Sequence, residues 1–255
     1  MKITRAVVPS LFTVLNIFCG FRSIIHTAQA DYSLAAWFII LAGVFDVLDG
    51  VMARITKSSS DFGVEFDSLS DVVSFGAAPS FLVYTLHLHT QEGIGMLVSS
   101  MPMIFGALRL ARFNSQLVGY DKEYFKGLPI PASAIAICAF VLTYNQGAAG
   151  LRGLEAALLM PLIVILSLLM VSNIKYDTFP KLSARGIKQH PLRFTASIIG
   201  MTAIVMTKGA ALFPFFLFYI ATGPIRYVVH FIQQSLHPSE KIGDDSEAEV
   251  TSVDV

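Results

Sequence analysis

Eight apolar runs, most of them close to the length of a bilayer crossing, govern what this chain can fold into. They fall at about 8–28, 33–53, 66–88, 93–114, 129–146, 153–172, 192–207 and 210–231. A helix needs roughly 20 predominantly apolar residues to cross the hydrocarbon, where its backbone polar groups must be satisfied internally. The seventh run is short, so the pair after Arg193 reads either as two helices or as one re-entrant element. Eight helices put both termini on one side. Composition agrees with membrane burial: 54% of residues are hydrophobic and 14% charged, with a mean hydropathy of +0.64. A soluble domain carries about 25% charged residues. A soluble enzyme, a disordered chain and a nucleic-acid binder with a broad basic face are excluded. The expected fold class is an all-α polytopic membrane protein.

The net charge is +0, but its components are segregated. On the eight-helix layout, 15 of the 18 Lys/Arg residues lie on the side of the N-terminus, Arg152 and Lys208 lie opposite, and Arg22 falls within the first run. The positive-inside rule then places both termini in the cytoplasm, and a bacterial inner membrane is the expected location. The first run has no small-residue cleavage site and reads as a membrane helix rather than a removed signal. Cys19 and Cys138 lie in apolar runs, so neither a disulfide framework nor a thiolate metal site is indicated. The segment 175–191 is a basic loop, and from His237 an acidic tail reads as disordered.

Within this apolar background stand four aspartates. A charged side chain inside a membrane helix costs about 2.5–3.5 kcal/mol even on insertion scales. Asp46 and Asp49 nevertheless sit near the end of the second run, and Asp67 and Asp71 near the start of the third. Asp46, Asp49 and Ala53 share one helical face, as do Gly63, Asp67 and Asp71. The short connection makes the two helices antiparallel neighbours, so the four carboxylates converge. Arg54 and Lys57 are too few to neutralise them. Hard oxygen donors without His or Cys select Mg²⁺ or Mn²⁺, and four of them suit two ions, an arrangement that clamps phosphates. Gly50, Ala53 and Gly63 leave the faces bare for a bulky phosphorylated substrate, although membrane helices also use small residues simply to pack.

The pattern Asp46-x2-Asp49-Gly50-x2-Ala53-Arg54-x8-Gly63-x3-Asp67-x3-Asp71 resembles the CDP-alcohol phosphotransferase signature at each of its eight fixed positions. Four further stretches are similar to the serine-accepting branch of that family: PSLFTVLNIFCGF at 9–21, DSLSDVVSFGAAP at 67–79, RLARFN at 109–114 and FKGLPIPA at 125–132. The resemblance covers roughly residues 5–135.

It implies a six-helix catalytic core over 1–175, commonly dimeric; hydropathy and charge add a basic loop with two further membrane helices over 176–236 and an acidic tail over 237–255. It also implies transfer of a phosphatidyl group from CDP-diacylglycerol to L-serine with release of CMP. Asp46, Asp49, Asp67 and Asp71 would hold two Mg²⁺ or Mn²⁺ ions, and Asp71 would double as general base. Thr13, Asn16, Asp49, Gly50, Ala53, Arg54 and Gly63 would bind the CDP moiety. The family often has Asn where this chain has Ser10. Arg109, Arg112, Asn114 and Lys126 would meet the lipid phosphate or the serine carboxylate, for which arginine's planar fork is suited, although arginines at a helix end also serve as interfacial anchors. The resemblance implies membrane lipids and a second copy of the chain as partners, and no nucleic acid.

Alternatives stay open: another acceptor such as glycerol 3-phosphate or choline, an archaeal ether-lipid donor, or a divalent-cation transporter. One-step and phosphatidyl-enzyme routes are both compatible with the sequence. His87 and His89 fall across the bilayer from the carboxylates and are left out of the metal site. Arg22 reads as a snorkelling side chain.

Overall fold

The computed structural model describes residues 7–56, 60–115, 125–145, 150–176 and 212–236. The short run at 192–207, the basic loop beyond Tyr176, Lys57 and the acidic tail lie outside the described residues. Among the described residues eight α-helices follow in chain order: α1 (Val7–Ala28), α2 (Tyr32–Thr56), α3 (Asp61–Asp71), α4 (Ala78–Leu86), α5 (Glu92–Ser115), α6 (Ile130–Tyr144), α7 (Gly153–Val171) and α8 (Leu212–Leu236). Six described spans are long and apolar enough to cross a membrane, with α3 and α4 forming one of them. The chain is an all-α integral membrane protein.

The third span starts at Asp61, earlier than the apolar run alone suggests, because Ser60 caps it. The Ser60 hydroxyl accepts the Gly63 N–H at 3.1 Å. From there the rod runs unbroken through α3, one π-helical turn (Val72–Ala77) and α4. Pro79 has no N–H to continue the usual ladder, and the turn before it is widened, with the Ala78 N–H donating to the Val73 carbonyl. The widened turn touches α1. Ser74 fills the space a Cβ on Gly20 would need, its Cα only 2.7 Å from that position, so glycine alone lets the two helices approach this closely.

At the centre stands α6. Its 15 residues span only about 22 Å. Ten of them are buried, among them Ala132, Ala134, Ala136 and Ala139, whose small side chains admit the surrounding helices. Phe75, Leu82, Ile137, Phe140, Leu159 and Ile163 complete the interior. Large apolar groups also cover the outside, including Phe18, Trp37, Val47, Leu97, Leu154 and Phe218. That inversion is what lipid as solvent requires.

A small clasp closes one end. Strand β1 (Phe125–Lys126) pairs antiparallel with β2 (Lys175–Tyr176). Next to it Gly127 adopts φ +82° against the Met170 carbonyl, a position where a side chain would collide. The Gly127 N–H donates to Ile174 O at 2.8 Å and the Leu128 N–H to Leu169 O at 3.0 Å. The 125–132 stretch thus seals the carbonyl end of α7.

Candidate active site

The α2–α3 hairpin brings the aspartates together as the spacing predicts. Carboxylate oxygens of Asp46, Asp67 and Asp71 lie within 4.8 Å of one another. Asp49 stands beside them, buried, on the face of α2 turned to α1. The group lies deeper along the helices than runs ending at 53 and starting at 66 imply. Asp46 is ten residues from the end of α2, and Asp71 ten residues from the start of α3, about 15 Å in each case.

Helix α1 supplies the orienting bonds. The Thr13 hydroxyl donates to Asp49 Oδ2 at 2.7 Å, and Asn16 Nδ2 donates to Asp71 Oδ1 at 3.3 Å. Two serines of α3 and the π turn hold α1 in place. Ser70 Oγ donates to the Thr13 carbonyl at 3.2 Å and Ser74 Oγ to the Asn16 carbonyl at 2.9 Å. Sequence reasoning recognised Ser70 and Ser74 only as letters of a motif. Their signal was a pair of hydroxyls at i, i+4 flanking Asp71.

The donor set fits a hard divalent cation. It consists of three converging carboxylates and a fourth at hand. Asp49 Oδ1 and Asp67 Oδ1 are buried without a hydrogen-bond partner. Orphaned anionic oxygens of this kind are costly unless a cation takes them up. Of the candidate cations, Arg54 is exposed and its Nε donates to the Gly50 carbonyl of its own helix at 2.9 Å. A Cβ on Gly50 would meet nothing within 4 Å, so this stretch of α2 faces open space. Gly63 sits in the Ser60 cap, and Ala53 is half-buried on the aspartate face of α2.

The remaining candidates separate. Arg109 on α5 is buried and within electrostatic reach of Asp71. Arg112, one turn on, donates from Nη1 to the Val171 carbonyl at 3.0 Å, which places a cation at the C-terminus of α7. Asn114 donates to Ser68 Oγ at 3.0 Å and fixes the end of α5 to α3 beside Asp67. Lys126 lies in β1, and its side chain is outside the described residues. His87 stands 16 residues beyond Asp71 on the same rod, about 24 Å away. Arg22 does more than snorkel: it contacts His26 Nε2 at 3.1 Å and lies 5.5 Å from the centroid of Phe38.

A membrane-embedded helical bundle with a carboxylate cluster about 15 Å along a two-helix hairpin defines a membrane protein with a site suited to a divalent cation, and comparison with known proteins gives the particular family. Residues 6–172 match the family model for CDP-alcohol phosphatidyltransferase, and the chain belongs to that family. It is similar to the CDP-diacylglycerol–serine O-phosphatidyltransferase of Helicobacter pylori strain J99, with 39% identity over 86% of this chain and 90% of the relative. The enzyme of the same name from Bacillus subtilis is 34% identical over 71% of this chain and 96% of its own. The archaetidylserine synthase of Methanothermobacter thermautotrophicus is 38% identical over 72% and 75%.

Proposed function

We propose that this chain transfers the phosphatidyl group of CDP-diacylglycerol to the hydroxyl of L-serine, forming phosphatidylserine and CMP. The convergence of Asp46, Asp67 and Asp71 with Asp49 alongside carries the chemistry. The relatives' names support the acceptor, since serine recurs in all three, beside CDP-diacylglycerol in two of them and in archaetidylserine in the third. Family membership weighs against a cation transporter built on the same aspartates.

In this reading Asp46, Asp49, Asp67 and Asp71 hold two Mg²⁺ or Mn²⁺ ions, which when bound offset the charge of the pyrophosphate and of departing CMP. Thr13 and Asn16 fix the two carboxylates they touch, and with Gly50, Ala53, Arg54 and Gly63 they line the approach for the cytidine nucleotide. Asp71 takes the proton of the serine hydroxyl as its oxygen attacks the phosphorus bearing diacylglycerol. Arg109 neutralises a phosphate or the serine carboxylate beside Asp71. The catalytic core comprises 1–175, α8 belongs to a C-terminal addition, and two chains associate. The Lys/Arg distribution supports a site open to the cytoplasm, where serine and the nucleotide are available.

The test is CMP release by the purified protein in detergent, with CDP-diacylglycerol or a CDP-linked ether lipid as donor and serine, glycerol 3-phosphate or choline as acceptor. Release that depends on serine and on the diacyl donor is expected. Equal use of glycerol 3-phosphate overturns the choice of serine.

A further inference from the structure

Helix α8 lies beyond the family-matched residues 6–172, and besides its aromatic contacts with α6 it is fastened by a built joint to Tyr176, just past them. Pro224 stands inside α8 and has no N–H, so the Ile220 carbonyl four residues earlier lacks its helical donor. The Tyr176 hydroxyl donates to that same carbonyl at 3.4 Å. The neighbouring Gly223 makes room for the ring: a Cβ there would collide with Tyr176 Cζ and Cε1. Tyr176 is 1% exposed and is among the largest fully buried side chains. Burial pushes its phenol up from a value at which it is already protonated at neutral pH. Sequence thus provides a plug, Tyr176 at the end of the β-clasp, and a socket, Ile220-x2-Gly223-Pro224.

A ring contact widens the joint. One residue before the socket, Tyr219 packs its ring 6.2 Å from that of Tyr176. Phe213 and Phe216 seat the start of α8, Phe213 against Phe140 and Tyr144 of α6, so α8 is held at both places. We propose that Tyr176 and the Gly223–Pro224 notch form a latch that fixes α8 against the clasp and the core. The inference rests on the joint alone and is independent of the transfer reaction proposed above.

The experiment uses the full chain in nanodiscs, reading backbone hydrogen exchange across 212–236. Tyr176→Phe is expected to speed exchange in α8 roughly tenfold, the scale of one lost hydrogen bond between neutral groups. Pro224→Ala supplies an N–H for the Ile220 carbonyl but no tether to the clasp, so the double variant Tyr176→Phe/Pro224→Ala is expected to exchange faster in α8 than Pro224→Ala alone. Unaltered α8 exchange in Tyr176→Phe, or equal exchange in the double variant and in Pro224→Ala, overturns the latch.

Discussion

Asn16 on α1 donates its amide to Asp71 on α3 at 3.3 Å, so a helix that carries none of the carboxylates aims the one assigned to proton transfer. Asn16 Oδ1 is itself buried without a hydrogen-bond partner, an expense a merely structural position would avoid. Replacing Asn16 with Leu is expected to leave the fold within about 1–2 kcal/mol of wild type, because the Ser74 bond goes to the Asn16 backbone. The same change is expected to cut kcat by roughly 10- to 100-fold, and Asp71→Asn by more. Thermal melting beside CMP release checks this; a stability loss with unchanged kcat removes the orienting role.

Asp46→Asn, Asp49→Asn and Asp67→Asn are each expected to abolish turnover while the protein stays folded. Excess chelator is expected to silence the wild type, with recovery on adding Mg²⁺ or Mn²⁺. Melting with and without Mn²⁺ reads binding directly, since a cation held only by the folded state raises the midpoint. Activity that persists in chelator sinks the two-ion proposal.

The two arginines of α5 are expected to fail differently. Arg112 holds the Val171 carbonyl, so Arg112→Ala is expected to cost about 1–2 kcal/mol, the scale of a charge-assisted bond on a half-buried group. Arg109→Lys keeps a charge near Asp71 but loses the planar fork, and its expected effect is a raised KM for one substrate at nearly unchanged stability. Which KM rises tells whether Arg109 meets the serine carboxylate or the lipid phosphate. Equal kinetic and stability losses in both variants contradict the separation.

Orientation is open to a labelling test. Cys19 and Cys138 are both buried and are expected to stay silent to a polar maleimide. A cysteine at position 59 is expected to react only from the cytoplasmic face, and one at position 91, in the reversal between α4 and α5, only from outside. The reverse pattern overturns the cytoplasmic site.

The aspartate convergence was legible because it needs only local rules: helical spacing within α2 and α3 and a connection too short for anything but a hairpin. The helix that orients Asp49 and Asp71 was named through Thr13 and Asn16, but the bonds themselves span 36 and 55 residues of sequence, and no periodicity carries such pairings. Gly20 and Ser74 illustrate the same limit, since the contact that makes glycine necessary belongs to a turn widened ahead of Pro79. Arg112 and Lys126 read as substrate contacts, and the rest of the 125–132 stretch only as a resembling motif. In the fold, Arg112, Gly127 and Leu128 close the carbonyl end of α7, a demand set by where a distant helix stops.

The dependence of the carboxylates on α1 bears on how the protein is made. The eight signature residues all lie within 46–71, but Thr13 and Asn16 leave the ribosome before any of them. Until α2 and α3 enter the bilayer, α1 must hold Thr13 and Asn16 without the carboxylates they bond, so the first helix waits as an unfinished surface. A fragment cut to begin after α1 would retain every signature residue and lose both bonds that aim them. In this protein the conspicuous sequence pattern marks the ligands, and biogenesis delivers their orientation ahead of them.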